Sequence, residues 1–177
     1  MADSQSLALS LLMAIPLSSA DDIIERVRAS FATGSDGPAI EALRAYRTAN
    51  GVTPEFLEAY SWLARVELSS RNYEPAEKFA RDIYAAAVEQ LKSRPMDREP
   101  HLPIALGAAI EIQSELFMAQ GRRSEAVSYL QAQLKAFANT SIITRIRKNL
   151  LLADLEGKPA PPLENVALPK GKPALIF

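Results

Sequence analysis

Cysteine is missing altogether from the 177 residues of this chain. Without a thiol there is no disulfide, no thiolate metal site and no thiol nucleophile, and cysteine usage gives no reading of the compartment. Histidine occurs once, at His101. A zinc site needs three or four converging ligands, and one histidine inside a proline-rich loop supports no Ser-His-Asp arrangement. An excess of either charge is lacking too: 20 Lys and Arg face 21 Asp and Glu, for a net charge of −1. A nucleic-acid binder usually carries a basic stripe that neutralises phosphates. Here the basic residues are scattered, the densest group being Arg145, Arg147 and Lys148, so no nucleic-acid partner is expected. A phosphate-cradling loop is absent, because "GKPAP" and "KGKP" have neither the Walker spacing nor the helix that must follow it. No transmembrane span is read. No cofactor, catalytic residue or metal ligand is assigned.

What is present is an ordinary globular composition, 48 % hydrophobic and 23 % charged, in a chain long enough to bury a core without staples. The apolar run "LALSLLMAIPL", Leu7 to Leu17, is too short for a bilayer. Small residues at Ser18 and Ala20 suit a signal peptidase, although "MADSQS" lacks a positive n-region. Residues 1–20 are therefore expected to be a signal peptide cleaved near Ala20, which implies export to the periplasm or cell envelope. The alternative is a helix packed on the domain and ended by Pro16, with a cytoplasmic protein.

From residue 21 to 156 the hydrophobic period is helical. Ile23, Ile24, Val27 and Phe31 share a face, and Gly34 and Gly37 then break the chain. Pro38 opens a second helix, carrying Ile40, Leu43 and Tyr46, which stops at Asn50-Gly51. Thr53-Pro54-Glu55 restarts one with a hydroxyl cap, a proline in the first turn and an acid at the positive dipole end. Asn72 is expected to cap the next. The three prolines of "SRPMDREPHLP" forbid a continuous helix from Ser93 to Pro103. Helical periodicity resumes at Ile104, turns at Gly121, and ends with a closing helix from about Thr140 to Glu156. The expected fold is all-α: about seven helices in antiparallel hairpins, followed by an extended tail.

Three turns can be laid over one another: "SDGPAIEALRAY", "RNYEPAEKFARDI" and "GRRSEAVSYLQAQ". Each puts an alanine early in the second helix of a pair, at Ala39, Ala76 and Ala126, with Leu43, Ala80 and Leu130 four residues later. In the helices before, Tyr60, Leu63 and Ala64 follow a large-x-x-Leu-small spacing, and Ile110, Ser114 and Phe117 stand at equivalent places. Small residues on both helices permit close approach, and bulky ones around them lock the crossing. This pattern resembles the tetratricopeptide repeat. It departs from that family in its spacing, 37 residues from Ala39 to Ala76 and 50 from Ala76 to Ala126, and in Glu67 and Gln113, where the family has an aromatic and a leucine. The competing reading is an irregular bundle with coincidental alanines.

Trp62 lies off the stripe of Tyr60, Leu63 and Ala64. It is a candidate for a partner groove, or for packing against a neighbouring hairpin. Asp97, Glu99 and His101 invite a metal or acid/base reading, but a polar loop at a helix start explains them as well. Asp21, Asp22 and Glu25 suit the front of a helix for dipole reasons alone.

The tail "GKPAPPLENVALPKGKPALIF", Gly157 to Phe177, resembles the entry to a thioredoxin-like redoxin domain of the TlpA and peroxiredoxin-related type. There a "GxPAP" segment leads to a short strand, and a "GKP" turn launches an apolar central strand. Pro162 and a short middle depart from that pattern. The resemblance implies a thiol-disulfide oxidoreductase or peroxidase whose Trp-Cys-x-x-Cys motif follows residue 177, with residues 157–177 its linker and first strands. The apolar Ala174–Phe177 run agrees, since such a run is normally buried in a sheet. The expected function is a non-catalytic module that holds a protein or peptide partner, or a second copy of the chain, near that redox centre. A stand-alone helical scaffold is the alternative.

Overall fold

The computed structural model describes residues 20–34 and 36–155. The signal-peptide reading of residues 1–20, apart from Ala20 at the start of a helix, and the redoxin reading of 157–177 lie outside the described residues. Among the described residues the protein is all-α, with seven α-helices and no strand: α1 (Ala20–Ala32), α2 (Asp36–Asn50), α3 (Pro54–Ser69), α4 (Tyr73–Leu91), α5 (Leu102–Ala119), α6 (Arg123–Ala136) and α7 (Ile143–Leu155). One 3₁₀ turn, Met96–Arg98, occupies the proline-rich break between α4 and α5.

The local chemistry sets these boundaries. Thr53 has extended backbone and its Oγ1 accepts the Phe56 N–H at 3.2 Å, capping α3. Asn72 does not cap α4 as expected; its Nδ2 instead donates to Glu67 Oε2 at 2.8 Å. The closing helix starts at Ile143, three residues later than expected, because Thr140 Oγ1 turns back to donate to the Phe137 carbonyl. At its other end Arg123 donates to the carbonyls of Ala153 and Asp154, at 2.8 and 2.5 Å. Those are orphan acceptors at the negative end of the dipole, and a guanidinium satisfies both needs.

Odd and even helices play different parts. The odd helices pack in succession, α1 on α3, α3 on α5 and α5 on α7, while each even helix packs on the odd helices before and after it. The even helices have no comparable packing among themselves. The array is thus a continuous odd layer with even helices set against it like slats. The core follows the odd layer and is deepest at α5, where Leu102, Leu106, Ile110, Ile112 and Leu116 are fully buried. Among the described residues only α5 is long and apolar enough to cross a membrane; more than half of it is buried among its neighbours. Burial between helices accounts for that apolarity.

Two hairpin turns are built alike. In α3–α4, Arg71 N–H donates to Leu68 O at 3.0 Å and Asn72 N–H to Glu67 O at 2.8 Å. In α5–α6, Gly121 N–H donates to Met118 O at 3.0 Å and Arg122 N–H to Phe117 O at 2.7 Å. Every donor and acceptor is displaced by the same 50 residues. The pivots, Arg71 and Gly121, both have left-handed backbone, with φ of 63° and 73°. This is the Schellman closure of a helix end.

Candidate partner-binding surfaces

The alanines at the hairpin crossings are where close contact requires them. Ala39, Ala64, Ala76, Ala80 and Ala126 are buried, as are Leu43, Leu63, Ile110, Ser114 and Leu130; Tyr60 and Phe117 are half-buried. The two half-buried rings stand at the edge of the core, and each borders an open groove between even helices.

The first groove lies between α2 and α4 with α3 as its floor, and has a volume of about 300 Å³. Leu43, Phe56, Tyr60, Leu63 and Phe79 give it apolar walls, with Ile40, Arg44, Arg47 and Glu67 around them. A chain of ring contacts runs along it: Tyr46–Phe56 and Phe56–Tyr60 stacked and Tyr60–Phe79 tilted, with centroids 6.5, 5.3 and 5.1 Å apart. The second groove lies between α4 and α6 over α5, at about 340 Å³. Ala80, Tyr84, Ala109, Phe117 and Tyr129 line it, with Glu77, Arg81, Gln113 and Gln133.

The two grooves share one register. Counted from the buried alanine, positions one, four, five and eight along the leading helix line each: Ile40, Leu43, Arg44 and Arg47 after Ala39; Glu77, Ala80, Arg81 and Tyr84 after Ala76. Position three of the following helix, Phe79 or Tyr129, closes the far side. They differ at position eight. Tyr84 donates its hydroxyl to Gln133 Oε1 at 3.0 Å and bridges the second groove, whereas Arg47 leaves the first unbridged. Burial raises the pKa of Tyr60 in the first groove and of Tyr129 in the second; at Tyr60 the charge of Lys78 partly offsets it. Both hydroxyls therefore remain neutral.

The odd layer presents another surface. Trp62 borders a groove of about 610 Å³ between α1 and α3, together with Phe31 and Val66, and is itself half-buried against the core. The guanidinium groups of Arg28 and Arg65 stand over its ring, 5.3 and 5.9 Å from the centroid. Both cations are already paired, Arg28 with Glu25 at 2.9 Å and Arg65 with Glu111 at 3.5 Å. Glu111 also takes two hydrogen bonds from Arg145, the Nε one at 3.0 Å, so one carboxylate ties α3, α5 and α7 together. Gly107 makes room for this: a Cβ there would lie 2.8 Å from Arg145 Nη1. Burial pushes the Glu111 carboxyl up, but the hydrogen bond and charge of Arg145, reinforced by Arg65, outweigh it and hold the group below its ordinary range. Glu115, one turn on, is raised by desolvation and by the Glu111 charge. This network serves the layering of the helices.

The structure separates the acids that the sequence placed around His101. Asp97 accepts the Ser141 N–H at 3.0 Å, which ties the 3₁₀ turn to the α6–α7 loop, and Ser141, through its side chain first and its N–H second, lowers the Asp97 pKa. Glu99 accepts the His101 N–H at 3.2 Å. The imidazole turns instead to α3, with Nδ1 2.8 Å from Glu58 Oε2 and Nε2 4.0 Å from Glu55. Among the described residues no group of three or more His, Cys, Asp or Glu is placed to hold a metal ion.

Sequence reading passed over Arg44, Arg47 and Arg81. A signal was there: arginine falls five residues after both Ala39 and Ala76, but it shows only once those alanines are known to set a shared register. Compared with known proteins, the chain matches no family model, no curated protein and no solved structure.

Proposed function

We propose that residues 21–156 form a tetratricopeptide-like module that binds a partner polypeptide and has no catalytic role of its own. The observation that carries this reading is the repeated register: two hairpin turns with the same hydrogen bonds 50 residues apart, and two grooves lined from the same helix positions. Stacked hairpins that contact mainly their neighbours create elongated surfaces, and such surfaces are used to hold extended or helical segments. We further propose that the module positions its partner beside a redoxin domain, where a thiolate would attack a disulfide. That part is supported by the sequence of Gly157 to Phe177 alone. Export to the periplasm or envelope belongs to the same proposal.

Photo-cross-linking tests the binding role. A benzophenone amino acid placed at Ile40 in the full chain, in its native cell, should yield discrete cross-linked proteins after irradiation. The same label at exposed Arg98, outside both grooves, should not. Equal yields at the two positions would contradict the binding role. The redox part is tested by the coding sequence downstream of Phe177: a Cys-x-x-Cys motif within a redoxin frame supports it, and a stop codon removes it, leaving the stand-alone scaffold.

A further inference from the structure

The even-helix grooves differ from the Trp62 groove in the state of their charges. Arg28 and Arg65 beside Trp62 are committed to Glu25 and Glu111. Among the described residues the guanidinium groups of Arg44 and Arg47 make no ion pair or hydrogen bond, and neither does that of Arg81 in the second groove. The acid on the rim of the first groove, Glu67, is occupied by Asn72. Two unpaired cations thus stand one helical turn apart above a pocket walled by Leu43, Phe56, Leu63 and Phe79. Ile40, 40 % exposed, holds the outer lip.

From this we propose that the pocket between α2, α3 and α4 binds a partner polypeptide through an apolar side chain closely followed by a carboxylate. The apolar group fills the space between Leu43 and Phe79, and the carboxylate meets Arg44 and Arg47. Arginine suits this because its fork pairs with carboxylates in a bidentate manner. A polypeptide fits better than a small molecule because an arginine beside an apolar groove recurs one hairpin on, where Arg81 stands at the register position of Arg44. The first groove is the primary site, since Tyr84 and Gln133 bridge the second. The inference rests on the reading of the chain as a polypeptide-binding module and specifies the chemistry of what it binds.

Fluorescence anisotropy with the full chain and three capped, labelled peptides of about a dozen residues tests it. The first has a central Phe flanked by Asp residues, the second has Asn for Asp, and the third has Ser for Phe. The first should bind, with affinity falling as salt is raised; the other two should bind at least tenfold more weakly. Arg44→Glu with Arg47→Glu, and separately Ile40→Glu, should each weaken the first peptide tenfold or more while circular dichroism and the melting temperature stay unchanged. All three residues are exposed, so the fold does not depend on them. Trp62→Ala should leave binding intact.

Binding that ignores the arginine substitutions, or that is equal for the Asp and Asn peptides, would overturn the inference while leaving the module reading standing. If no peptide binds but Ile40→Glu converts a dimer to a monomer, the occupant is a second copy and the inference also fails. If no peptide binds and the oligomeric state does not change, it fails again. The cross-linking experiment then decides separately whether the module binds any polypeptide.

Discussion

Arg71 and Gly121 fill the same position in two equivalent turns, yet only one has a side chain. The left-handed backbone brings Cβ close to the following carbonyl, at a cost of about 1–2 kcal/mol for a residue other than glycine. Arg71, with φ of 63°, carries that strain, and among the described residues its exposed side chain makes no compensating hydrogen bond or ion pair. Arg71→Gly relieves the strain but adds freedom to the unfolded chain, worth roughly 0.5–1 kcal/mol in the opposite direction. The net expectation is stabilisation by about 0.5–1 kcal/mol. Gly121→Ala is the mirror experiment. A Cβ at Gly121 meets nothing within 4 Å, so only the backbone term acts. It should destabilise by about 0.5–1 kcal/mol, and the double variant should return close to the parent, because separate turns with no shared partner add. Urea unfolding followed by circular dichroism reads this as opposite shifts of the midpoint at constant m-value. If Arg71→Gly is neutral or destabilising while Gly121→Ala also has no effect, the two turns do not share a conformation and the repeated register loses its main support.

Other consequences can be measured on the same assay. Glu111 has a folded-state pKa below its unfolded one, so its contribution is complete at neutral pH and lost as pH falls out of the ordinary carboxylate range and through the lower folded value. Glu111→Gln should therefore destabilise by about 1–3 kcal/mol at pH 7 and flatten the acid limb of a stability–pH profile; an unchanged limb would refute the role of the ion pair. Glu115 has the opposite sign, its charged form being disfavoured in the fold, so Glu115→Gln should stabilise at pH 7 and lose that advantage in acid. Ala76→Leu forces bulk into a crossing with no free space and should cost about 1–3 kcal/mol, read as a lower urea midpoint. Arg123→Met removes the donors that close α7 and should cost about 1 kcal/mol, with faster amide exchange confined to the end of that helix.

Much of the architecture was legible because local chemistry decided it. Thr53-Pro54-Glu55 starts α3 as caps and proline require, and the buried alanines at positions 39, 76 and 126 mark the hairpin crossings. What the sequence hid was long-range. Ile40 reads as a core residue from its period but is 40 % exposed, at the lip of the open groove between α2 and α4. Asn72 reads as a cap, but a carboxylate one turn back offers its amide a stronger partner. His101 looks toward Asp97 in the sequence and toward Glu58 in the fold, a partner 43 residues away that no local pattern reveals. The grooves were hidden for the same reason: their walls come from three helices each, and the alanine register aligns them only after the chain has folded.

The most direct test of the account is a map of where the acidic, apolar peptide perturbs the full chain by NMR. Shifts should concentrate on the methyls of Leu43 and Leu63 and on the rings of Tyr60 and Phe79, and the indole signal of Trp62 should stay in place. Perturbations gathered instead on Trp62, Phe31 and Val66 would place binding on the odd-helix face and contradict the assignment of the groove between α2 and α4.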